Sequence, residues 1–246
     1  MSRIKLPKKL KTDLILSAVF ELRFSTKIPQ EAVYGMVYQA VIKKYPSVSP
    51  VRLPITQLPD VVRNFDPNLI FQPYNILNID TKGIGIGSRV INFSIQKPYI
   101  GWDQWSSFIA EFIPEFVQLG IFDNIERTGL RFANFTEQNL CSIAQMDVQI
   151  GSTKLGCQPM TLRTEIQEGD YIKVLHLVNN AVVEVRPLER LNGSVIDIEI
   201  IKKIDMPSAK FQEQFETILE ESHQLEKRLF FEIIKDEFLT TLEPDY

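Results

Sequence analysis

The two residue types that carry much of metal and nucleophilic chemistry are scarce in this sequence of 246 residues, since histidine and cysteine occur only twice each. A di-metal site in a helical bundle needs two Glu-x-x-His motifs, and the chain has one, at Glu220 and His223. The other histidine, His176, has no second ligand at a spacing typical of metal sites. The sequence therefore predicts no metal site.

The two cysteines, Cys141 and Cys157, form no Cys-x-x-Cys motif. Isolated cysteines in a chain of this length are typical of reduced, structural thiols in intracellular proteins. The sequence also lacks an apolar run near the ~18 residues of a membrane span. Its basic start is not followed by a small-residue cleavage site. We therefore expect a cytoplasmic protein that does not insert into a membrane.

Glycine-rich phosphate loops are also missing, although glycines alternate at Gly83, Gly85 and Gly87. The dinucleotide fingerprint is G-x-G-x-x-G between a strand and a helix, where amides at the helix start bind the pyrophosphate. Here the spacing is G-x-G-x-G, and the following residues, VINFSIQ, have the pattern of a strand. We predict no cofactor, and we interpret the glycines as positions of close backbone approach or of a hairpin turn.

The charge balance excludes a strongly basic protein, because 27 basic residues against 31 acidic ones give a net charge of −4. A protein whose main task is to bind nucleic-acid backbone needs a basic face. The placement of charge is uneven, since residues 205–246 carry eleven acids and four bases, a local net charge of −7. The first eleven residues carry no acid and five bases, Arg3, Lys5, Lys8, Lys9 and Lys11. We interpret the acidic end as a surface for a basic partner protein.

Hydrophobic periodicity predicts a mixed α+β fold. Alternating apolar residues predict a strand over 17–24, and apolar residues at spacings of three and four predict helices over 29–45, 103–120 and 207–239. Pro114 should end or kink the second of these helices. Further strands are expected over 69–80, 90–96, 127–135, 147–150, 161–167, 171–177, 181–186 and 195–201.

Strands that follow one another directly favour antiparallel sheets with helices packed on one face. We expect an N-terminal α+β half, residues 1–135, and a C-terminal half, residues 136–246, that combines an antiparallel sheet with the long helix. The two halves are expected to form one compact unit. A loose duplication of a strand–helix–strands–helix unit is left open, although no sequence repeat supports it.

No residues are spaced as a catalytic constellation, because a nucleophile elbow and an oxyanion-type glycine pair are both missing. The carboxylates Asp197 and Glu199 share a strand face and are the one candidate site for acid–base chemistry. We favour a solvated strand face on which these acids pair with cations of neighbouring strands. The expected cations are Arg163, Lys173 and Arg186. The sequence therefore predicts no catalytic residue.

Two arginines stand in similar phrases, Arg23 in ELRF and Arg131 in GLRF, on strands expected to share a sheet. The favoured interpretation is structural, with the guanidinium groups paired to Glu21 or Glu126. The alternative is a small cationic patch, because a guanidinium binds a carboxylate or a phosphate through two parallel hydrogen bonds. Arg23 and Arg131 are therefore the candidate anion-binding residues.

The predicted C-terminal helix has more apolar residues than contact with one sheet requires. We interpret this excess as a surface for a partner protein, and alternatively as a second internal packing surface. The predicted partner-binding residues, four apolar ones and two acids at the rim, are Phe230, Phe231, Ile234, Phe238, Glu226 and Glu237.

Four phrases, taken in order along nearly the whole chain, resemble a prokaryotic protein family. They are SAVFELRF at 17–24, YIGW at 99–102, RTGLRFANF at 127–135, and the last predicted helix, where His223 leads to Phe230 and Phe231. The family that they resemble is an uncharacterised one of similar length, distributed sporadically among bacteria and archaea. The resemblance implies no reaction or cofactor. The patchy distribution implies horizontally transferred genes, and hence a toxin–antitoxin or antiviral-defence setting.

These observations lead to three hypotheses of different classes. The first is a non-catalytic, cytoplasmic protein-binding module, an antitoxin or accessory subunit of a defence system, that binds a basic toxin or effector and also forms a homodimer through the same helix. The second is a nucleic-acid or nucleotide-binding protein that uses Arg23, Arg131 and the basic start. Its stacking platform would be Tyr99, Trp102 and Trp105. The third is an enzyme of unknown reaction.

Overall fold

The computed structural model of the chain describes residues 5–185 and 189–246. It is 33% helical and 41% strand, with antiparallel strand pairs and a long C-terminal helix packed on the sheet. The predicted α+β class is therefore confirmed. Arg3 of the basic start and Arg186, expected to pair with a strand-face acid, lie outside the described residues.

Thirteen strands, six α-helices and one short 3-10 helix (Pro54–Gln57) make up the regular structure of the described residues. The strands are β1 (Lys9–Leu10), β2 (Ile15–Phe24), β3 (Ser49–Arg52), β4 (Asn75–Ile79), β5 (Lys82–Ile86), β6 (Val90–Gln96), β7 (Asn124–Thr136), β8 (Val148–Ile150), β9 (Thr153–Leu155), β10 (Met160–Glu168), β11 (Tyr171–Val185), β12 (Glu189–Pro207) and β13 (Pro244–Asp245). The helices are α1 (Gln30–Lys44), α2 (Asp60–Phe65), α3 (Trp102–Gln118), α4 (Leu140–Ile143), α5 (Ser208–Ile233) and α6 (Asp236–Thr241).

The chain forms two compact units, and neither is a continuous stretch of sequence. The described residues of 5–16, 131–200 and 222–246 form unit 1, and residues 17–130 and 201–221 form unit 2. Strands β2, β7 and β12 and helix α5 each contribute residues to both units. The units do not coincide with the predicted halves, 1–135 and 136–246. The internal duplication stays a prediction.

The sheet of unit 2 has the hydrogen-bonded strand order β7-β2-β6-β5-β4-β3. Strand β2 alternates buried apolar residues with half-buried Glu21 and Arg23, which confirms the predicted strand and its period of two. Its antiparallel pairing with β6 places Phe20 opposite Phe93, and both side chains are fully buried. The predicted alternation therefore also identifies which face of this strand is in the core.

Helix α3 supplies much of the aromatic core of unit 2, and it runs through Pro114 to Gln118. The expectation that Pro114 ends the helix is therefore wrong. Phe112 and Phe116, on either side of the proline, are fully buried. Burial of two such rings stabilises by roughly 2–3 kcal/mol each, which exceeds the ~3 kcal/mol cost of a proline inside a helix.

The alternating glycines of β5 allow polar side chains of β6 to lie against its backbone. A Cβ atom at Gly83 would lie 2.8 Å from Ser94 Oγ, and a Cβ atom at Gly85 would overlap with Asn92 Oδ1. The same Asn92 oxygen accepts a hydrogen bond from the Gly85 N–H at 3.1 Å. At Gly83 and Gly85 it is therefore a side chain, and not another backbone, that approaches closely. A Cβ atom at Gly87 would overlap with the backbone carbonyl oxygen of Gln72, so the predicted close backbone approach is confirmed at that glycine.

Unit 1 has the strand order β10-β11-β12-β7 and a core to which helices α4, α5 and α6 contribute. Strands β11 and β12 contribute to this core the buried residues Tyr171, Leu175, Leu177, Ile196, Ile198 and Ile200. Strand β1 pairs with β13, with Lys9 opposite Asp245. The first and last strands among the described residues therefore belong to the same unit.

Two helices replace the single C-terminal helix that was predicted over 207–239. Helix α5 ends at Ile233, and the chain there bonds to the segment around α4. The Gln145 N–H donates to the Ile233 carbonyl at 2.6 Å, and the Lys235 N–H donates to the Ile143 carbonyl at 2.8 Å. Because these groups leave the helical hydrogen-bond pattern, the helix restarts only at Asp236.

A disulfide joins Cys141 and Cys157 in unit 1, so the prediction of two reduced thiols is wrong for this structure. The disulfide closes the loop that contains the β8–β9 hairpin. The Asn179 side chain connects the two cysteine-bearing segments. Its amide donates to the Cys157 carbonyl at 3.0 Å, and its oxygen accepts the Leu140 N–H at 2.9 Å. The sequence spacing could not show this pairing, because the two segments are brought together in the fold and both hydrogen-bond to a residue of β11.

Candidate functional site

The apolar residues predicted to bind a partner lie in the core of unit 1. Phe230, Phe231 and Phe238 are 5–6% exposed and Ile234 is fully buried. All four belong to the cluster that includes apolar residues of α4, β11 and β12. The prediction that these side chains form an exposed face is therefore wrong, and the alternative, an internal packing surface, describes them.

The two acids predicted at the rim of that face have different environments. Glu237 is exposed in the first turn of α6. Glu226 is only 6% exposed, and burial raises the pKa of its carboxyl to about 8, against the opposing effect of Lys227. A carboxyl with this pKa is mostly neutral at pH 7. Glu226 is therefore a buried neutral group and not a rim charge.

Arg23 is part of an ion-pair network on the polar side of β2 in unit 2. Its Nε donates to Glu21 at 2.7 Å, and Arg127 donates to the same carboxylate. Next to these residues, Arg89 pairs with Glu126 at 2.6 Å. The favoured interpretation of Arg23, pairing with Glu21, is therefore confirmed.

Arg131 forms a bidentate ion pair with Asp197 in unit 1, with N–O distances of 2.8 and 2.5 Å. The acid differs from the two that the sequence suggested. Asp197 is 6% exposed, whereas the Arg131 side chain is 54% exposed. His176 Nδ1 lies 3.9 Å from the same carboxylate. Asp197, half of the candidate acid–base site, is therefore the counter-ion of Arg131.

The cations expected opposite Asp197 and Glu199 have other acidic partners. Arg163 pairs with Glu165 at 2.7 Å, and Lys173 pairs with Glu168 at 2.6 Å, which lowers the pKa of the Glu168 carboxyl. These pairs lie within β10 or between β10 and β11. The expected charge pairing of strand faces is present, but with different partners.

The proposed base-stacking residues pack against one another in unit 2. Trp105 is fully buried, and its ring centre lies 6.4 Å from that of Tyr99 and 5.9 Å from that of Trp102. Both contacts are edge-to-face. The indole N–H of Trp102 donates to Glu220 at 2.9 Å. A nucleobase therefore has no access to the Trp105 ring in this arrangement.

Helix α2 has an exposed apolar face that the sequence analysis missed. Phe65 is 82% exposed and Val61 is 70% exposed, with Val62 at 43% and Leu58 at 41%. Val61, Val62 and Phe65 lie on the helix, and Leu58 lies in extended backbone just before it. These four residues are here called the α2 surface. Arg63 is buried instead, at 8% exposure. The helix thus inverts the usual arrangement, with apolar residues outward and a cation inward.

The buried Arg63 is held from two sides. Its guanidinium pairs with Asp60 one turn earlier, and its central carbon lies 4.5 Å from the centre of the Tyr74 ring, within the range of a cation–π contact. Its Nε is buried without a hydrogen-bond partner among the described residues. Arg63 also lines a cavity of about 450 Å³ in unit 2.

Strand β3, beside this cavity, is the edge strand of the sheet in unit 2, and all four of its residues are exposed. The Leu53 N–H just after it bonds to the Tyr74 carbonyl at 2.8 Å. The N–H directions alternate along an antiparallel strand. Since Leu53 points its N–H toward β4, the backbone nitrogen of Pro50, three residues earlier, points toward the open edge. Proline has no N–H to donate, so this edge is poorly suited to the addition of another strand.

A metal-binding cluster of three or more His, Cys, Asp or Glu side chains does not occur within residues 5–185 and 189–246. None of the helices in those same ranges combines the length and the apolar character that a membrane crossing requires.

Comparison with known proteins gives no match to any protein-family model and none to any curated protein. The resemblance of four sequence phrases to a prokaryotic family therefore stays an interpretation of those phrases alone.

Proposed function

We propose that the protein is a non-catalytic protein-binding module that contacts its partner through the α2 surface. The observation that carries the proposal is the inverted helix α2, where three apolar side chains, together with Leu58 just before the helix, are 41–82% exposed while Arg63 is buried. Neighbouring exposed apolar side chains on a folded protein mark interaction sites. Aromatic anchors dominate the energy of such interfaces, which makes Phe65 the central contact residue of the proposal.

The proposed partner is another protein, with an apolar contact surface bordered by lysine or arginine. Asp60 and Asp66 stand at the two ends of α2, and the Asp60 side chain is 65% exposed. The net charge of −4 favours the approach of a basic partner over an acidic one. The family resemblance supports an antitoxin or accessory subunit of a defence system, with a basic toxin or effector as the partner.

A binding experiment with two matched surface variants tests this proposal. Val182 of β11 in unit 1 is 63% exposed, so Val182→Ser removes an exposed apolar group that belongs to the other unit. The partner is first captured on immobilised wild-type protein, identified and purified. Its Kd is then measured by calorimetry for the wild type, Phe65→Ser and Val182→Ser. We expect Phe65→Ser to bind roughly tenfold more weakly or worse, and Val182→Ser to bind like the wild type.

Equal affinities of the wild type and Phe65→Ser for the purified partner would contradict the proposal. Light scattering after size exclusion decides whether the α2 surface instead binds a second copy of this chain. A wild-type dimer that becomes a monomer in Phe65→Ser would replace the proposed partner with a homodimer. The homodimer through the C-terminal helix, predicted from the sequence, requires side chains that are buried in unit 1.

We propose that the protein is located in the cytoplasm. This location predicts the state of the two cysteines in the cell. Cytoplasmic thiol systems keep accessible cysteines reduced, and Cys157 is exposed. Alkylation in freshly lysed cells, followed by mass spectrometry, should therefore find Cys141 and Cys157 modified, with the disulfide of the structure open inside the cell. A disulfide that persists through this treatment would contradict the cytoplasmic location.

A further inference from the structure

The cavity beside α2 has an excess of positive charge in an otherwise acidic protein. Its volume of about 450 Å³ is within the range of small-molecule sites. Two arginines, Arg52 and Arg63, line it together with a single acid, Glu31. The lining of the cavity therefore attracts anions, whereas the chain as a whole has a net charge of −4.

Arg63 is a fixed cation with an incomplete set of partners. Only 8% of the residue is exposed, and its counter-ion, Asp60, is itself 65% exposed. Because water screens an exposed carboxylate, this pair neutralises the buried guanidinium weakly. The Nε donor has no acceptor among the described residues, and an unsatisfied buried donor is destabilising. An anion bound in the cavity would supply counter-charge to this guanidinium.

Neutral polar groups complete the lining of the cavity. The side chains of Gln30, Tyr34 and Asn75 line it, and none of them hydrogen-bonds to another side chain or backbone group of the described residues. Burial and the neighbouring Tyr38 raise the pKa of Tyr34, so its hydroxyl keeps its proton and can donate. The cavity thus combines two cations with uncommitted donors, the arrangement that binds an oxyanion.

We propose that this cavity binds a small molecule with a carboxylate or phosphate group, which Arg63 and Arg52 hold while Gln30 and Asn75 orient the rest of the ligand. The proposal does not rest on protein binding by the α2 surface. Arg23 and Arg131, the arginines for which the sequence suggested anion binding, are both committed to carboxylates of the chain.

Calorimetric titrations with two probes, inorganic phosphate and succinate, test this site at low ionic strength. Arg52→Gln removes an exposed cation and should weaken binding about fivefold. Arg63→Lys keeps the charge but loses the planar donor group, so we expect a loss of roughly tenfold or more. Glu31→Gln removes the competing acid and should strengthen binding about threefold. Arg163→Gln, an exposed arginine of unit 1, is the control for total charge.

The opposite signs of the Arg52 and Glu31 variants keep the test valid even if Arg63→Lys does not fold, as judged by circular dichroism. A lower Kd for phosphate than for succinate would assign the phosphate group as the ligand, and the reverse would assign the carboxylate. No binding of either probe at millimolar concentration would overturn the proposal. Equal weakening by Arg52→Gln and Arg163→Gln would also overturn it, since binding would then reflect only the total charge. Phe65→Ser should leave the titrations unchanged, which separates this site from the α2 surface.

Discussion

Replacement of Glu226 by glutamine should stabilise the protein, and the gain should depend on pH. Burial raises the pKa of this carboxyl from its ordinary 4.5 to about 8, whereas in the unfolded chain the carboxyl ionises near 4.5. Glutamine keeps nearly the shape of the neutral carboxyl and cannot ionise. Glu226→Gln therefore removes the difference in proton binding between the folded and unfolded states.

The size of the effect follows from these two pKa values. Below pH 4.5 the carboxyl is protonated in both states, so its full contribution to stability is present. As the pH rises, the unfolded chain ionises first, and the free energy of unfolding falls by about 1.4 kcal/mol per pH unit. The loss is about 3 kcal/mol at pH 7 and reaches about 5 kcal/mol once the pH passes the folded value of about 8. Glu226→Gln should recover these amounts.

Urea unfolding followed by circular dichroism, between about pH 4 and pH 9, measures this difference directly. Glu232, an exposed acid on the same helix, provides the control variant Glu232→Gln. We expect the curves of the wild type and the control to run together and to fall below the curve of Glu226→Gln as the pH rises. If Glu226→Gln has the same pH dependence as the wild type, the carboxyl is not held neutral in the core.

Three further changes test the packing described above. Phe231→Ala should lower the free energy of unfolding by about 3–5 kcal/mol in urea, because the ring is 5% exposed; an unchanged value would place it at the surface. Gly85→Ala should cost about 1–3 kcal/mol through the overlap with Asn92. The double variant with Asn92→Ala should recover part of that cost, whereas simple additivity of the two changes would exclude the overlap as its cause. Replacing Cys141 and Cys157 by serine should lower the free energy of unfolding by about 3 kcal/mol for a loop of this length. Reducing the disulfide of the purified wild type with dithiothreitol should lower its Tm as much as the double replacement does. A Tm unaffected by reduction would show that the disulfide does not stabilise the fold.

Local periodicity was sufficient to predict the main elements of the fold. The strand predicted over 17–24 is found at Ile15–Phe24, and the helix predicted over 29–45 is found at Gln30–Lys44. Both predictions depend on contacts between residues close in the chain, and these determine the repeat of two or 3.6 that the sequence displays. The α+β class follows from the order of such elements.

The candidate site could not be predicted in the same way, because burial depends on residues distant in sequence. The apolar excess around Phe231 favoured a partner-binding surface, but in the fold these side chains pack against residues of β11 and β12. The exposed face of α2 has a recognisable signal, apolar residues at 58, 61, 62 and 65. The prolines at 54 and 59 interrupt this stretch, and helical spacing alone does not say whether a face points inward. Arg63 is a candidate because of its contact with the Tyr74 ring and its position in the cavity lining, and both depend on residues distant in sequence.

The pairing of β1 with β13 has a consequence for how the chain folds during its synthesis. Lys9 must wait for Asp245 before their strands can pair, and ribosomes add roughly 5–20 residues each second. The interval between making the two strands is therefore on the order of 10 to 50 seconds. Unit 2 has all of its residues once Glu221 has been added, whereas unit 1 still lacks Ser222–Tyr246. A nascent chain should accordingly complete unit 2 first and leave the apolar strands of unit 1 uncovered until residues 222–246 have been made.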